Sequence, residues 1–173
     1  MELNKTYFYT VSIIYWKHLL LNDNYKEVIV SSLRYLYEKK LINVYAFVIL
    51  PNHIHLIWEL LQMNGKEMPH ASFMKHTSHI FLEMLRKDAS QKLSEYKVES
   101  LTRNHQFWQR DALPIVLYTD KVFLQKLNYI HNNPLQEKWR LSQEPWDYKY
   151  SSAGFYENGK DNFGFLRHFS EWQ

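Results

Sequence analysis

The middle of the chain alternates between apolar runs and one polar break. Val44-Tyr45-Ala46-Phe47-Val48-Ile49-Leu50 runs into Pro51-Asn52, and His53-Ile54-His55-Leu56-Ile57-Trp58-Glu59-Leu60 runs out of it. Both runs are short and rich in β-branched and aromatic residues, so they read as strands. Pro51 has no N–H to give and Asn52 tolerates turn geometry, so the pair reads as a tight connection. Side chains alternate faces along a strand. His53, His55, Ile57 and Glu59 therefore share one face, while Ile54, Leu56 and Trp58 share the other, which suits a core.

The flanking pattern supplies the remaining elements. Residues 6–15 read as a first strand with Tyr7, Tyr9, Val11 and Ile13 on one face. Asn22-Asp23-Asn24 offers a turn and a cap, and residues 25–39 carry Val28, Ile29, Leu33, Leu36 and Tyr37 at helical spacing. After a polar loop, residues 71–87 read as a second helix with an apolar stripe of Phe73, Met74, Thr77, Ile80, Phe81, Met84 and Leu85. Residues 89–104 are polar and read as a mobile connection or a frayed helix end. At least one strand is expected around Phe107-Trp108-Gln109-Arg110 and Pro114-Ile115-Val116-Leu117-Tyr118. Thr119-Asp120 can cap a third helix over about 121–133, which Pro134 stops. From about residue 135 onward the chain is aromatic and irregular.

Strand, helix, two strands, helix, strand is the split βαβ order. The expected fold is therefore α+β: a ferredoxin-like or RRM-like antiparallel sheet with helices on one face. The other face is left free for His53 and His55.

The third helix carries an anomaly. At 3.6 residues per turn, Phe123, Leu124, Leu127 and Ile130 form its core stripe. Tyr129 and Asn133 lie one turn apart on a different side. Neutral imidazole is a common metal ligand, and a carboxamide oxygen is a hard one. His53, His55 and Asn133 are therefore candidates for one metal site. The alternative is two histidines on a half-exposed strand and an ordinary surface tyrosine.

Composition narrows the field. At 173 residues the chain is expected to form one domain. There are no cysteines, which excludes thiolate metal sites, and only four glycines, with no Gly-rich phosphate loop. No apolar run is long enough to span a membrane, and the first residues lack a signal-peptide pattern; a cytoplasmic protein is expected. A net charge of +3 permits nucleic acid as a partner, and an aromatic content of 17% supplies surfaces on which bases stack.

The motifs carry a resemblance. Pro51-Asn52-His53-Ile54-His55-Leu56 resembles the His-hydrophobic-His (HUH) motif of single-tyrosine transposases, and Tyr129-Ile130-His131-Asn132-Asn133-Pro134 resembles their tyrosine helix. Phe107-Trp108-Gln109-Arg110 and Tyr150-Ser151-Ser152 extend the likeness to the REP-associated tyrosine transposases, over about residues 6–159. The resemblance implies an HUH active site on the free sheet face. His53, His55 and Asn133 would bind Mg²⁺ or Mn²⁺, and Tyr129 would be the nucleophile. The implied activity is endonuclease and strand transferase chemistry in DNA transposition and recombination. Single-stranded, hairpin-forming DNA would be cleaved and rejoined through a 5′-phosphotyrosine. A free phenol titrates near pH ~10 and is a weak nucleophile at neutral pH; a cation on the phosphate would assist it. Lys75, Arg110 and Lys126 are candidate DNA contacts. A homodimer, with Tyr129 serving its own chain or its partner's, stays open.

Two other readings are weaker. A (β/α)₈ hydrolase typically needs about 250 residues, and nucleotidyl hydrolases with three alternating histidines would need one at Ile57. A non-catalytic domain of the same fold that binds single-stranded DNA or RNA is the alternative.

Overall fold

The computed structural model describes residues 1–88, 90–100, 104–110 and 112–172. The elements run β1 (Lys5–Ser12), α1 (Asp23–Glu38), β2 (Ile42–Ile49), β3 (His53–Leu60), α2 (Pro69–Asp88), α3 (Ser90–Leu93), β4 (Leu113–Val116), α4 (Asp120–Asn132) and α5 (Ala153–Asn158). The four strands form one sheet in the order β2-β3-β1-β4, with antiparallel neighbours throughout. Local chemistry sets the helix starts. Asn22 Oδ1 accepts the Asn24 N–H at 2.9 Å at the head of α1. Thr119 Oγ1 accepts the Val122 N–H at 3.3 Å at the head of α4.

The expected core face of β1 holds: Tyr7, Tyr9, Val11 and Ile13 are all buried. Tyr9 stacks on Trp58 at 5.3 Å, Trp58 meets Phe73 of α2 edge-on at 6.0 Å, and Tyr25 of α1 meets Phe81 of α2 at 5.4 Å. α1 and α2 thus share this face. In α2 the stripe narrows to Phe73, Thr77, Phe81 and Leu85, with Met74, Ile80 and Met84 only partly buried.

The histidine face is not left open. α4 and the end of the chain lie over it. Phe123 packs against Tyr45 at 5.7 Å, Phe169 at 4.9 Å and Trp172 at 4.7 Å, and Trp172 Nε1–H donates to Thr6 Oγ1 at 3.0 Å. The reason is the amphipathic α4 itself. Phe123, Leu127 and Ile130 need an apolar partner, and α1 and α2 already fill the other side.

A bulge at Tyr45 shifts the β2–β3 register between Val44 and Ala46. Tyr45 therefore turns to the α4 side, where its hydroxyl donates to Glu59 Oε2 at 3.3 Å. Phe47, beyond the bulge, turns to the α1 side against Phe163 at 4.8 Å. The segment after α4 is mostly irregular, as expected, but it packs closely. Along β2 it adds three backbone hydrogen bonds: Ile49 N–H to Tyr150 O, Ser152 N–H to Phe47 O and Arg167 N–H to Val44 O. Of the stretch expected to be a mobile connection or a frayed helix end, residues 90–96 form α3 and a 3-10 turn. Tyr96 is buried there and stacked on Phe107 at 5.0 Å. Ala89 and residues 101–103 lie outside the described residues. Among the described residues no helix is long and apolar enough to cross a membrane.

Candidate active site

β3 alternation delivers His53 and His55 to one face, where α4 buries them to 5% and 4% exposure. Burial pushes the His53 imidazole down to about 4, with the Lys138 charge adding to it. Burial likewise pushes His55 to about 3, helped by the charges of His53, Lys138 and Lys126. Both rings are therefore neutral near pH 7, and a neutral ring keeps a lone pair for a metal.

Hydrogen bonds fix which nitrogen holds that lone pair. His53 Nδ1 lies 2.6 Å from Asn52 Oδ1. A carbonyl oxygen only accepts, so His53 donates from Nδ1 and its lone pair sits on Nε2. The same Asn52 donates from Nδ2 to the Trp16 carbonyl at 3.1 Å. His55 Nδ1 lies 2.7 Å from Thr10 Oγ1, because the β1–β3 register sets Thr10 opposite His55. The Thr10 hydroxyl can accept from Nδ1 in the same manner, leaving His55 Nε2 as the lone pair. That atom is buried and has no hydrogen-bond partner. The two rings sit 4.8 Å apart.

Tyr129 reaches this pair from α4 of the same chain. Its ring is edge-on to His55 at 5.1 Å and to Phe8 at 5.9 Å, and it remains 45% exposed. Phe8 in turn stacks on His55 at 5.5 Å. Asn133 follows one turn later, about 6 Å further along the helix axis. It is 1% exposed, and its Oδ1 has no partner. An unpaired buried acceptor carries an unrecovered desolvation cost. Two such atoms, His55 Nε2 and Asn133 Oδ1, are of the kinds that ligate divalent cations. Among the described residues no three His, Cys, Asp or Glu side chains gather to hold a metal; the candidate donor set is two imidazoles and one carboxamide.

His131, between Tyr129 and Asn133, points into the fold. Its Nε2 lies 2.9 Å from Ser152 Oγ, and that oxygen accepts the Phe47 N–H at 3.0 Å. This link ties α4 to β2 and fixes the face that Tyr129 presents. Burial pushes His131 down to about 4. Leu124, expected in the core stripe, is instead 39% exposed.

The three candidate DNA contacts separate. Lys126 lies beside the site, with Nζ 4.7 Å over the Phe8 ring. Lys75 and Arg110 line a groove of about 800 Å³ between α2 and residues 104–110, with Ala112 and Pro114, and Lys75 is paired with Glu67 at 2.7 Å. Sequence reasoning missed Thr10, Phe8, Trp16, Trp139 and the orienting role of Asn52. Alternation on β1 would have given Phe8 and Thr10, since they fill the face opposite Tyr7 and Tyr9.

No protein-family model matches the chain, and no curated protein does. Among solved structures, that of a REP-associated tyrosine transposase bound to a REP hairpin aligns with a TM-score of 0.64. The alignment covers 99% of this chain and 91% of that one, at 17% sequence identity. The sheet order, the helices packed on it and the near-complete coverage agree: this chain has the fold of a REP-associated tyrosine transposase.

Proposed function

We propose that the protein is a metal-dependent nuclease and strand transferase acting on single-stranded, hairpin-forming DNA. One observation carries this reading: the half-exposed Tyr129 ring lies against His55 of its own chain, whose Nε2 is buried and without a partner. The solved neighbour, bound to a REP hairpin, supports the choice of DNA.

In this reading His53 Nε2, His55 Nε2 and Asn133 Oδ1 hold Mg²⁺ or Mn²⁺, whose charge would polarise the scissile phosphate. The chain's own residues do the rest. Tyr129 Oη attacks phosphorus as its proton passes to solvent. A bond forms between Oη and phosphorus, the bond from phosphorus to O3′ breaks, and the leaving oxygen takes up a proton. The products are a 5′-phosphotyrosine and a free 3′-hydroxyl. A second 3′-hydroxyl reverses the exchange and joins strands, with no nucleotide cofactor. Lys126, one turn before Tyr129, offers its charge to the DNA backbone. Phe8 and His55 hold the phenol at the mouth of the site.

The test is an SDS-resistant adduct between the purified protein and single-stranded oligonucleotides in Mg²⁺ or Mn²⁺. Wild type forms it. Tyr129→Phe lowers its yield to background while DNA binding survives. An adduct of undiminished yield in that variant removes Tyr129 from the nucleophile role.

A further inference from the structure

The turn that follows β1 places two large aromatic residues where folding gains little from them. Tyr15 is 65% exposed and Trp16 is 56% exposed. Both adopt left-handed backbone angles, with φ of 54° at each. Neither is glycine, and this conformation is unfavourable for a residue with a β-carbon. Strained backbone of this kind persists only where surrounding contacts hold it, and it concentrates at functional sites.

The contacts that hold it lead to the histidines. Ile14 N–H donates to Phe107 O at 2.7 Å, and Ile13 N–H donates to Asn52 O at 2.8 Å. The Trp16 carbonyl accepts from Asn52 Nδ2, and Asn52 Oδ1 accepts from His53 Nδ1. One carboxamide thus clamps both the strained turn and a candidate metal ligand. The Trp16 ring stands edge-on to the His53 ring at 6.0 Å. On another side of His53 lies Trp139, 5.8 Å away, with Lys138 Nζ 5.1 Å from its ring. An exposed indole, an imidazole pair and a cation therefore lie close together.

We infer that Trp16, with Tyr15 beside it, is a stacking platform for an unpaired base next to the scissile phosphate. This inference rests on the DNA-cleaving reading above and adds a positioning residue to it. A polynucleotide crossing this cluster alternates anionic phosphates with flat apolar bases. The cation suits the first and the exposed ring suits the second. Every base has a π-face, so the platform holds the strand in place without reading its sequence. Because Asn52 links the turn to His53, the stacked base sets which phosphate lies over the metal ligands.

Photocrosslinking tests this independently of catalysis. Tyr129→Phe protein with Mn²⁺ is irradiated with a single-stranded oligonucleotide pool containing 5-iododeoxyuridine, and the crosslinked peptides are mapped. Crosslinks are expected at Tyr15 or Trp16; crosslinks only elsewhere, or none, overturn the inference. Loss of one stacked base predicts that Trp16→Ala binds the pool roughly 5- to 100-fold more weakly, with Trp16→Phe close to wild type. Trp16→Gly separates this role from a structural one. It relieves the left-handed backbone, so its melting temperature should hold or rise while its affinity falls. A lower melting temperature with unchanged affinity makes Trp16 a structural residue and overturns the inference. Wild-type adduct formation tests the cleavage reading alone: adduct without aromatic crosslinks leaves cleavage standing, and crosslinks without adduct leave the platform standing.

Discussion

β3 presents two environments on alternate residues. Towards α1 and α2, Ile54, Leu56 and Trp58 enter a packed aromatic layer with Tyr9 and Phe73. Towards α4, His53 and His55 are buried almost as deeply, yet they belong to a polar set with Asn52 and Thr10. Both faces leave polar atoms unpaired. On the first it is the Trp58 indole N–H, a donor with no use for a cation. On the second they are His55 Nε2, Asn133 Oδ1 on α4 and the Trp139 indole N–H beside His53. Burial depth alone does not separate core from site.

The sharpest way to break this contrast is to truncate each face in turn. Trp58→Ala should cost about 3–5 kcal/mol in urea unfolding, the range for a large core aromatic. His55→Ala should cost distinctly less, about 1 kcal/mol, because it removes an unsatisfied buried atom along with its packing. It should nevertheless eliminate the DNA adduct. Equal losses of stability would make His55 an ordinary core residue.

A smaller effect should come from the metal. At a hundredfold excess over Kd, Mg²⁺ or Mn²⁺ should stabilise wild type by about 2.7 kcal/mol. The gain should vanish with EDTA and in His53→Ala, and it should persist in Tyr129→Phe. An equal gain in His53→Ala would place the ion elsewhere.

A separate effect is acid sensitivity, measured in EDTA. Unfolded imidazoles take a proton below pH ~6.5, whereas folded His53, His55 and His131 stay neutral down to about 4, about 3 and about 4. Between those limits the unfolded chain binds more protons. Stability is therefore full above about pH 6.5 and falls as pH drops towards 4. A loss of about 2 kcal/mol per imidazole is expected by pH 5. His131→Asn should flatten this limb, and identical unfolding midpoints at pH 5 and 7 would contradict the burial argument.

Much of this was readable in the sequence because it is periodic. A period of two put His53 and His55 together and away from Trp58. A period of 3.6 set Tyr129 off the stripe of Phe123, Leu127 and Ile130. What was not readable depends on partners remote in the chain. Nothing local says that α4 and Trp172 cover the histidine face, or that Asn52 reaches Trp16. Lys75 and Arg110 share a groove with each other and not with His53 and His55, which no spacing rule reveals. The left-handed angles at Tyr15 and Trp16 leave no sequence mark, because such angles ordinarily announce themselves through glycine.

The bulge at Tyr45 has a consequence for the borders of the sheet. By sending Tyr45 and Phe47 to opposite sides, it gives the chain's last stretch an anchor on each side of β2. That stretch closes over the strand like a clip, with Phe163 on one flank and Phe169 and Trp172 on the other. One rim of the sheet is thereby sealed against further pairing. The β4 rim, with Leu113 and Ile115 bare to solvent, is left as the margin where another strand would have to join.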